Sequence, residues 1–349
     1  MKVAVINTYN AKDISIWSGT PYYISIFLDS FFLNKVKYIQ IPEMKRSIRS
    51  NLLGLYFNKI RNKRYYTWAD EEHIENNKKM INLFLDEQYD LIITFQFYLV
   101  PLLKKNNNKV IHWNDANFKN LHNYYSGYSN FSNYSLKAAH NIQKQALQLS
   151  DIIIYSSDWA IDQAKSYYEV DIKKLRKILF ASNLKVSLKA EEIKAVVHNR
   201  KSPVIKLLFV GADWERKGGE YAIKVLNELN NRSYKTLLYI VGVNINYAFS
   251  HNQNIIQLGY INKNSDEGEK EMIQLYKDCS FFILPSMIDI TPVVISEANS
   301  FALPVISMQT GGIPSQIEKD INGNYFQSSE FVNKATEFII QNLPSSVQY

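Results

Sequence analysis

Short apolar runs rich in β-branched residues alternate with longer amphipathic stretches along most of this chain. That alternation restricts the fold to parallel strands joined by crossover helices, an α/β architecture. A first series of strand candidates comprises 3–6, 36–41, 91–95, 110–113, 152–155 and 178–180, with helical stretches at 22–33, 74–86, 136–149 and 159–168. The series restarts after about residue 185, with strands at 207–210, 237–241, 255–258, 281–284 and 304–306 and helices near 221–229 and 269–276. Two doubly wound domains are expected, 1–185 and 186–330, joined near 184–203 through a Lys/Glu-rich stretch and Ser202-Pro203. Residues 331–349 read as a terminal helix.

At 349 residues the chain can bury two cores of ordinary size. Its start, MKVAVINTYN, has too short an apolar run for a secretion signal and fits a first strand. No window reaches the ~18 consecutive apolar residues of a membrane-spanning helix. A single cysteine, Cys279, excludes an internal disulfide and a cysteine-rich zinc site, so a cytoplasmic location is the plain expectation. No Gly-x-Gly-x-x-Gly follows the first strand, which argues against a nicotinamide or flavin. There is no Gly-Lys-Ser/Thr phosphate loop and no Asp-x-Asp pair.

The chemistry concentrates between Phe281 and Gly312, FFILPSMIDITPVVISEANSFALPVISMQTGG. An apolar strand runs into a loop carrying Asp289. A helix is expected to open at Thr291-Pro292, with Thr as N-cap and Pro at the first helical position. Glu297 lies inside that helix, eight residues after Asp289. Leu303-Pro304 stops the helix, the next strand follows, and Gly311-Gly312 opens the next loop. Two carboxylates and a Gly-Gly turn thus fall at the carboxyl ends of adjacent strands, where open α/β sheets bind ligands. Upstream, a strand ends at Gly211 and is followed by Asp213, Arg216, Lys217 and Gly218-Gly219 before a helix near Glu220. A diphosphate needs positive charge and backbone N–H donors, and this element supplies both. Arg216 can hold phosphate oxygens in a fork, while Lys217 acts as a point charge.

This combination resembles the retaining family 4 glycosyltransferases of the GT-B fold, in which two Rossmann-like domains face a central cleft. The resemblance rests on the acidic pair with seven intervening residues, the Pro-Val-Ile strand, the Gly-Gly turn and the Arg-Lys-Gly-Gly element. Family members usually carry Glu at the first acidic position, a Gly-Phe-Gly-like loop after it, and Arg directly after the strand glycine. Here Asp289, Ile290-Thr291-Pro292 and Ala212 stand in those places. The resemblance implies transfer of a sugar from a nucleotide-diphosphate sugar to an acceptor hydroxyl with retention, using no metal and no other cofactor. It implies that Asp289 fixes hydroxyls of the transferred sugar and that Glu297 accepts from ribose hydroxyls. Arg216 and Lys217 would hold the diphosphate. Main-chain N–H groups around Ile290, Thr291, Gly311 and Gly312 would meet sugar or phosphate, and Tyr260 would lie near the nucleobase.

In the first domain the loop Ile16-Trp17-Ser18-Gly19-Thr20-Pro21-Tyr22-Tyr23 resembles that of one subgroup of the family. Gly19 lets the backbone approach the donor, and Thr20 is expected to cap the next helix. The segment Ile111–Ala116 ends a strand at the same cleft. By the resemblance, which implies a His or Asp at this strand end, Asp115 joins Asp289 as a catalytic candidate, with His112 as a buried structural group and Ser157 as an N-cap. By the same resemblance the terminal helix crosses back to the first domain. The competing readings are a degenerate GT-B binding or scaffold protein, favoured by Asp289 and Ala212, and a nucleotide-sugar epimerase.

The net charge of +7 is uneven: residues 1–183 carry +8 and the rest −1. Much of the excess lies between Lys45 and Arg64, where no acid occurs and Leu52, Leu53, Leu55, Tyr56, Phe57 and Ile60 intervene. Three readings stand: a peripheral contact with anionic lipid at the inner membrane face, a dock for an acidic acceptor, or a solvated loop and helix. No nucleic-acid-binding module accompanies the charge, so nucleic acid is not an expected partner. The acceptor stays open among glycan, lipid-linked and small-molecule hydroxyls.

Overall fold

A computed structural model describes residues 1–42, 46–70, 72, 74, 75, 78, 81, 82, 85, 88–243, 252–346 and 349. Lys45 and much of the helix expected over 74–86 lie outside the described residues. The chain divides into two compact units, Met1–Leu179 and Phe180–Tyr349, each built on a six-stranded parallel sheet.

The first sheet comprises β1 (Val3–Asn7), β2 (Val36–Gln40), β3 (Leu91–Thr94), β4 (Lys109–Asn114), β5 (Ile152–Tyr155) and β6 (Leu175–Lys177), in the order β2-β1-β3-β4-β5-β6. β1 is buried along its whole length, as a strand covered by helices on both faces must be, whereas the edge strand β2 is partly exposed. Strand β6 lies before the expected run at 178–180: Leu175–Lys177 pair with Ile153–Tyr155, and Ile178 and Leu179 are left exposed. The helix Asn133–Leu149 starts at Ser132, whose hydroxyl accepts from Ser135 N–H at 3.1 Å, and buries Ala139, Ile142 and Ala146. Ser157 caps the helix Asp158–Tyr168 as expected, accepting from Ala160 N–H at 3.3 Å.

The second sheet comprises β7 (Ile205–Val210), β8 (Thr236–Val241), β9 (Ile255–Gly259), β10 (Phe281–Leu284), β11 (Val305–Met308) and β12 (Gly323–Phe326), in the order β12-β11-β10-β7-β8-β9. That is the order of dinucleotide-binding sheets, with its reversal between β7 and β10. Strand β12 has no strand-like composition and exists through its pairing with β11. There Gly323 adopts φ 145°, and a Cβ would sit 1.9 Å from the Val305 carbonyl oxygen.

The division falls at Leu179/Phe180 rather than at 185/186, because the chain enters the second unit early. Leu184 is in its core, and Ser296 Oγ donates to Phe180 O at 2.6 Å. The expected joint holds a helix, Ala190–Asn199, followed by the buried Arg200. The Arg200 guanidinium donates to the carbonyls of Tyr276, Lys277, Phe301 and Ala302 at 2.7–3.0 Å. Those carbonyls lie at the ends of two helical segments and have no helical partner there. The terminal helix, Phe331–Gln341, packs on the helix Gly219–Asn231 and on β12, placing Phe331, Ala335 and Ile339 in the second unit's own core.

Candidate active site

Strands β7 and β10 are neighbours where the strand order reverses, and the loops leaving their carboxyl ends interlock. Met287 N–H donates to Arg216 O at 2.8 Å, and Arg216 Nη1 donates to Ile288 O at 3.1 Å. After Gly211 the chain forms a tight turn in which the N–H groups of Lys217, Gly218 and Gly219 bond back to Asp213, Glu215 and Trp214. Gly218 has φ 72°, and a Cβ there would lie 1.9 Å from Pro285 O. Only glycine lets the basic turn press this closely on the loop after β10.

This packing brings three predicted residues together. Asp289 is 6% exposed, and its Oδ2 accepts from Lys217 Nζ at 2.5 Å and from Ser286 Oγ at 3.0 Å. Arg216 Nη1 stands 3.9 Å from the same oxygen, while Arg216 Nε donates to Asp213 at 3.1 Å. Ala212 supplies no charge after Gly211, and Arg216 brings a guanidinium to Asp289 from the following turn.

Glu297 sits on the helix Val293–Asn299 and is fully buried. Both its oxygens have partners: Lys263 Nζ at 2.5 Å and Tyr276 Oη at 2.9 Å. Burial, together with the charge and hydrogen bond of Glu297, raises the Tyr276 phenol well above its ordinary pKa, so it stays a donor. Lys263, Tyr276 and Ser286 were not legible as site residues. Lys263 stands in a polar turn after β9 with no motif around it, and its reach to Glu297 is a product of sheet order.

The helix at Glu297 starts differently from expectation. Pro292 holds the N-cap position with ψ 122°, and Thr291, buried, lies outside it. Two bonds keep Ile290–Pro292 extended: Gly312 N–H to Ile290 O at 2.7 Å, and Gln316 Nε2 to Pro292 O at 3.2 Å. The amide of Gly312 is therefore engaged within the protein, tying the loop after β11 to that after β10. Gly311 supplies the left-handed step, φ 49°, that this closure needs. Tyr260 follows β9 with its side chain 77% exposed.

In the first unit Gly19 is the N-cap of the helix Thr20–Phe31, at φ 83°, and Thr20 is its first residue. The Thr20 hydroxyl is buried and caps nothing. Trp17 and Ser18 also have positive φ, 48° and 54°, so three successive residues are left-handed. The Trp17 ring packs edge-on against Phe95, 6.4 Å away, at the end of β3. Asp115 directly follows β4; burial chiefly, with the Asp115 charge adding to it, raises the phenols of Tyr9, Tyr128 and Tyr155 above their ordinary pKa. Gln96 brackets Thr8: Thr8 N–H donates to Oε1 at 2.7 Å and Nε2 donates to Thr8 Oγ1 at 2.8 Å. His112 is completely buried with both ring nitrogens unpartnered, and desolvation pulls its pKa down to about 4. Among the described residues, no group of three or more His, Cys, Asp and Glu side chains could hold a metal ion.

The two sheets and their reversal points define a two-domain Rossmann-like α/β protein of the GT-B fold, and solved structures bear this out. The lipopolysaccharide outer core galactosyltransferase WaaB aligns over 97% of this chain and 89% of its own with a TM-score of 0.63, at 16% identity. Sucrose-phosphate synthase from Thermosynechococcus elongatus aligns over 98% and 90% with a TM-score of 0.62, at 15% identity. HepE from Anabaena, in complex with UDP-glucose, aligns over 100% and 92% with a TM-score of 0.54, at 13% identity. Residues 189–346, nearly all of the second unit, match the family model of the glycosyl transferases group 1. An uncharacterized 41.2 kDa protein in the cps region of Klebsiella pneumoniae is 24% identical over 208 residues, 56% of this chain and 55% of that protein. The match thus spans about half the length of that curated relative. No helix among the described residues is long and apolar enough to cross a membrane.

Proposed function

We propose that this chain is a retaining glycosyltransferase of family 4 that moves a sugar from a nucleotide-diphosphate sugar to an acceptor hydroxyl in glycan or glycoconjugate biosynthesis. One observation carries the reading: Arg216 and Lys217 converge on Asp289 at the reversal point of a dinucleotide-type sheet. The group 1 match over the same unit supports it, as do the sugar-transferring and UDP-bound proteins among its structural relatives. UDP is accordingly the first nucleotide to test.

In this reading the diphosphate draws Lys217 and Arg216 away from Asp289, and Asp289 turns to hydroxyls of the transferred sugar. Glu297 meets the ribose once Lys263 has moved aside, because no part of its carboxylate is open while that ion pair stands. Tyr260 offers an exposed ring to the base. As the bond from the anomeric carbon to the phosphate oxygen breaks, its electron pair goes to the diphosphate. The two cations stabilise that charge without a metal. The acceptor oxygen attacks the same face, and its proton passes to the departing phosphate oxygen. Asp115 stands with the acceptor groups of the first unit.

Thermal unfolding with UDP, GDP, ADP and NAD, each with chelator, tests the donor site. A ligand at a hundred times its dissociation constant stabilises by about 2.7 kcal/mol. At roughly 2–4 °C per kcal/mol that is a rise of several degrees. A rise with one diphosphate, followed by label transfer from the matching nucleotide sugar, is the expected result. No response to any diphosphate would return the chain to the class of degenerate binding proteins.

A further inference from the structure

The segment from Arg46 to Arg64 has two unlike sides. Ser47 caps the helix Ile48–Leu55, accepting from Ser50 N–H at 3.1 Å, and a π-helical turn, Tyr56–Ile60, continues it. The inner side is fixed to the first unit. Phe57 stacks on Tyr65 and Tyr134 with ring centroids 6.1 Å apart, and Arg64 Nη1 donates to the carbonyls of Ser126 and Gly127. The outer side presents Ile48, Leu52, Leu55, Tyr56 and Ile60, spaced as one helical stripe and between 43% and 81% exposed. Arg46, Lys59, Arg61 and Lys63 interleave with that stripe, and no acid occurs from Lys45 to Arg64. A second copy of the chain would bring like charges against these cations. An anionic headgroup layer over acyl chains complements both the charge and the apolar stripe.

The inner side also leads to the carboxyl edge of the first sheet. Tyr65 is followed by Tyr66, whose ring lies 5.0 Å from Trp68; Trp68 meets the Tyr98 ring at 4.8 Å. Tyr98 Oη is 3.3 Å from Thr8 Oγ1, one residue past β1. Burial first, and then the neighbouring Tyr98 and Asp115 groups, raise the phenol pKa of Tyr9, the next residue along. Trp68 is 39% exposed and meets the Tyr98 ring, so an indole stands beside the Tyr98 and Thr8 hydroxyls, with the Gln96 amide one hydrogen bond further on. An apolar ring with polar groups around it suits a sugar ring, which has C–H faces and a hydroxyl rim.

We propose that residues 46–64 dock on an anionic bilayer and that the acceptor is a lipid-carried saccharide, its carrier beside this arm and its sugar on Trp68. The proposal rests on the glycosyltransferase reading for the word acceptor, but the docking stands without it. Flotation with phosphatidylcholine vesicles, with and without phosphatidylglycerol, at low and high salt, reads the docking directly. Wild-type protein is expected to float only with phosphatidylglycerol and to be released by salt. The double variant Leu52→Glu, Ile60→Glu, at two exposed positions, is expected to float about fivefold less or worse. Its unchanged thermal response to UDP would show an intact fold and donor site. With the matching labelled nucleotide sugar and vesicles of the source cells' total lipid, label is expected in the butanol-extractable fraction. The double variant should lose that product, and Trp68→Ala should lose it while still floating. Failure of the wild type to float, flotation equal in the double variant, or label absent from lipid overturns the proposal. A donor response without flotation would leave the transferase reading standing and remove only this one.

Discussion

The carboxyl edges of the two sheets face similar topological situations and solve them with different chemistry. In the second unit each member of the acidic pair is matched to a lysine: Asp289 to Lys217, and Glu297 to Lys263. In the first unit the corresponding edge holds Thr8, Tyr9, Gln96, Tyr98 and Trp68, with Asp115 as its carboxylate. The difference teaches what each edge is prepared to hold. Preformed ion pairs suit a charged ligand that can exchange partners with them, because charge arriving with a diphosphate replaces charge withdrawn. Rings, hydroxyls and amides suit a neutral ligand, whose binding would not repay breaking a buried ion pair.

The largest expected effect breaks the charged edge. Lys217→Ala leaves Asp289 with Ser286 and a distant Arg216 and, on the proposed reading, removes a cation from the departing diphosphate. Sugar transfer should fall by about two to three orders of magnitude, the usual loss for one stabilising donor of a developing anion. Steady-state transfer from the identified nucleotide sugar, with circular dichroism as the folding control, reads it. Full activity would sink the assignment of this cluster as donor site.

Next in size is a test of whether charge also organises the second unit away from its site. Arg200→Ala leaves four helix-end carbonyls without their donor. The loss should be about 3 kcal/mol or more, given the cost of buried unsatisfied acceptors. Urea unfolding measures it; a loss under about 1 kcal/mol would mean that water replaces the guanidinium without cost.

These two residues differ in how far the sequence announces them. Lys217 lies in a strand–glycine–basic–glycine pattern whose every member has a local reason. Asp289, Glu297 and the strands around them were legible for the same cause. Arg200 lies in what looks like a linker, and its role depends on two helix ends that meet only in the folded unit. Lys263 is hidden for a like reason, since β9 reaches Glu297 only through the sheet order. Local rules also misread both caps. Thr20 and Thr291 are good N-cap residues, yet Gly19 in the left-handed region and the extended Pro292 take those positions. The aromatic edge of the first unit draws on 8–9, 66–68, 96–98 and 115, segments too far apart in sequence to form a motif.

The first unit should in turn be the acid-sensitive one. His112 is neutral when folded, with a pKa lowered to about 4, whereas the unfolded chain takes up a proton near 6.5. The unfolded state therefore binds more protons between these values, and stability falls as pH drops from about 6.5 to 4. For His112 alone the loss amounts to about 2–3 kcal/mol at the lower end. His140, lowered to about 4 by burial and by His122 and Lys119, adds in the same direction. His112→Phe should leave stability at pH 7 nearly unchanged, since both ring nitrogens are already unpartnered, and should flatten part of the slope. Urea midpoints at pH 7 and 4.5 decide; an unchanged slope would mean that His112 is not the group that resists protonation.

The smallest effect asks whether the first unit's strain is functional. Trp17 and Ser18 occupy left-handed backbone, which costs a non-glycine residue roughly 1 kcal/mol or more. Trp17 is held there by its packing on Phe95, whereas Ser18 is joined to Gly19 at the mouth of the helix Thr20–Phe31. Ser18→Gly relieves the strain but loosens the unfolded chain, so the net change in stability should be within about 1 kcal/mol. If the left-handed run exists to present backbone to the donor, the variant should bind UDP more weakly while folding as well or better. A stability–affinity trade of that sign, seen in paired melting and titration data, would place strain beside the rings as the first unit's contribution. Gains in both would show the loop to be strained for packing alone, and would leave donor binding to the charged edge of the second unit.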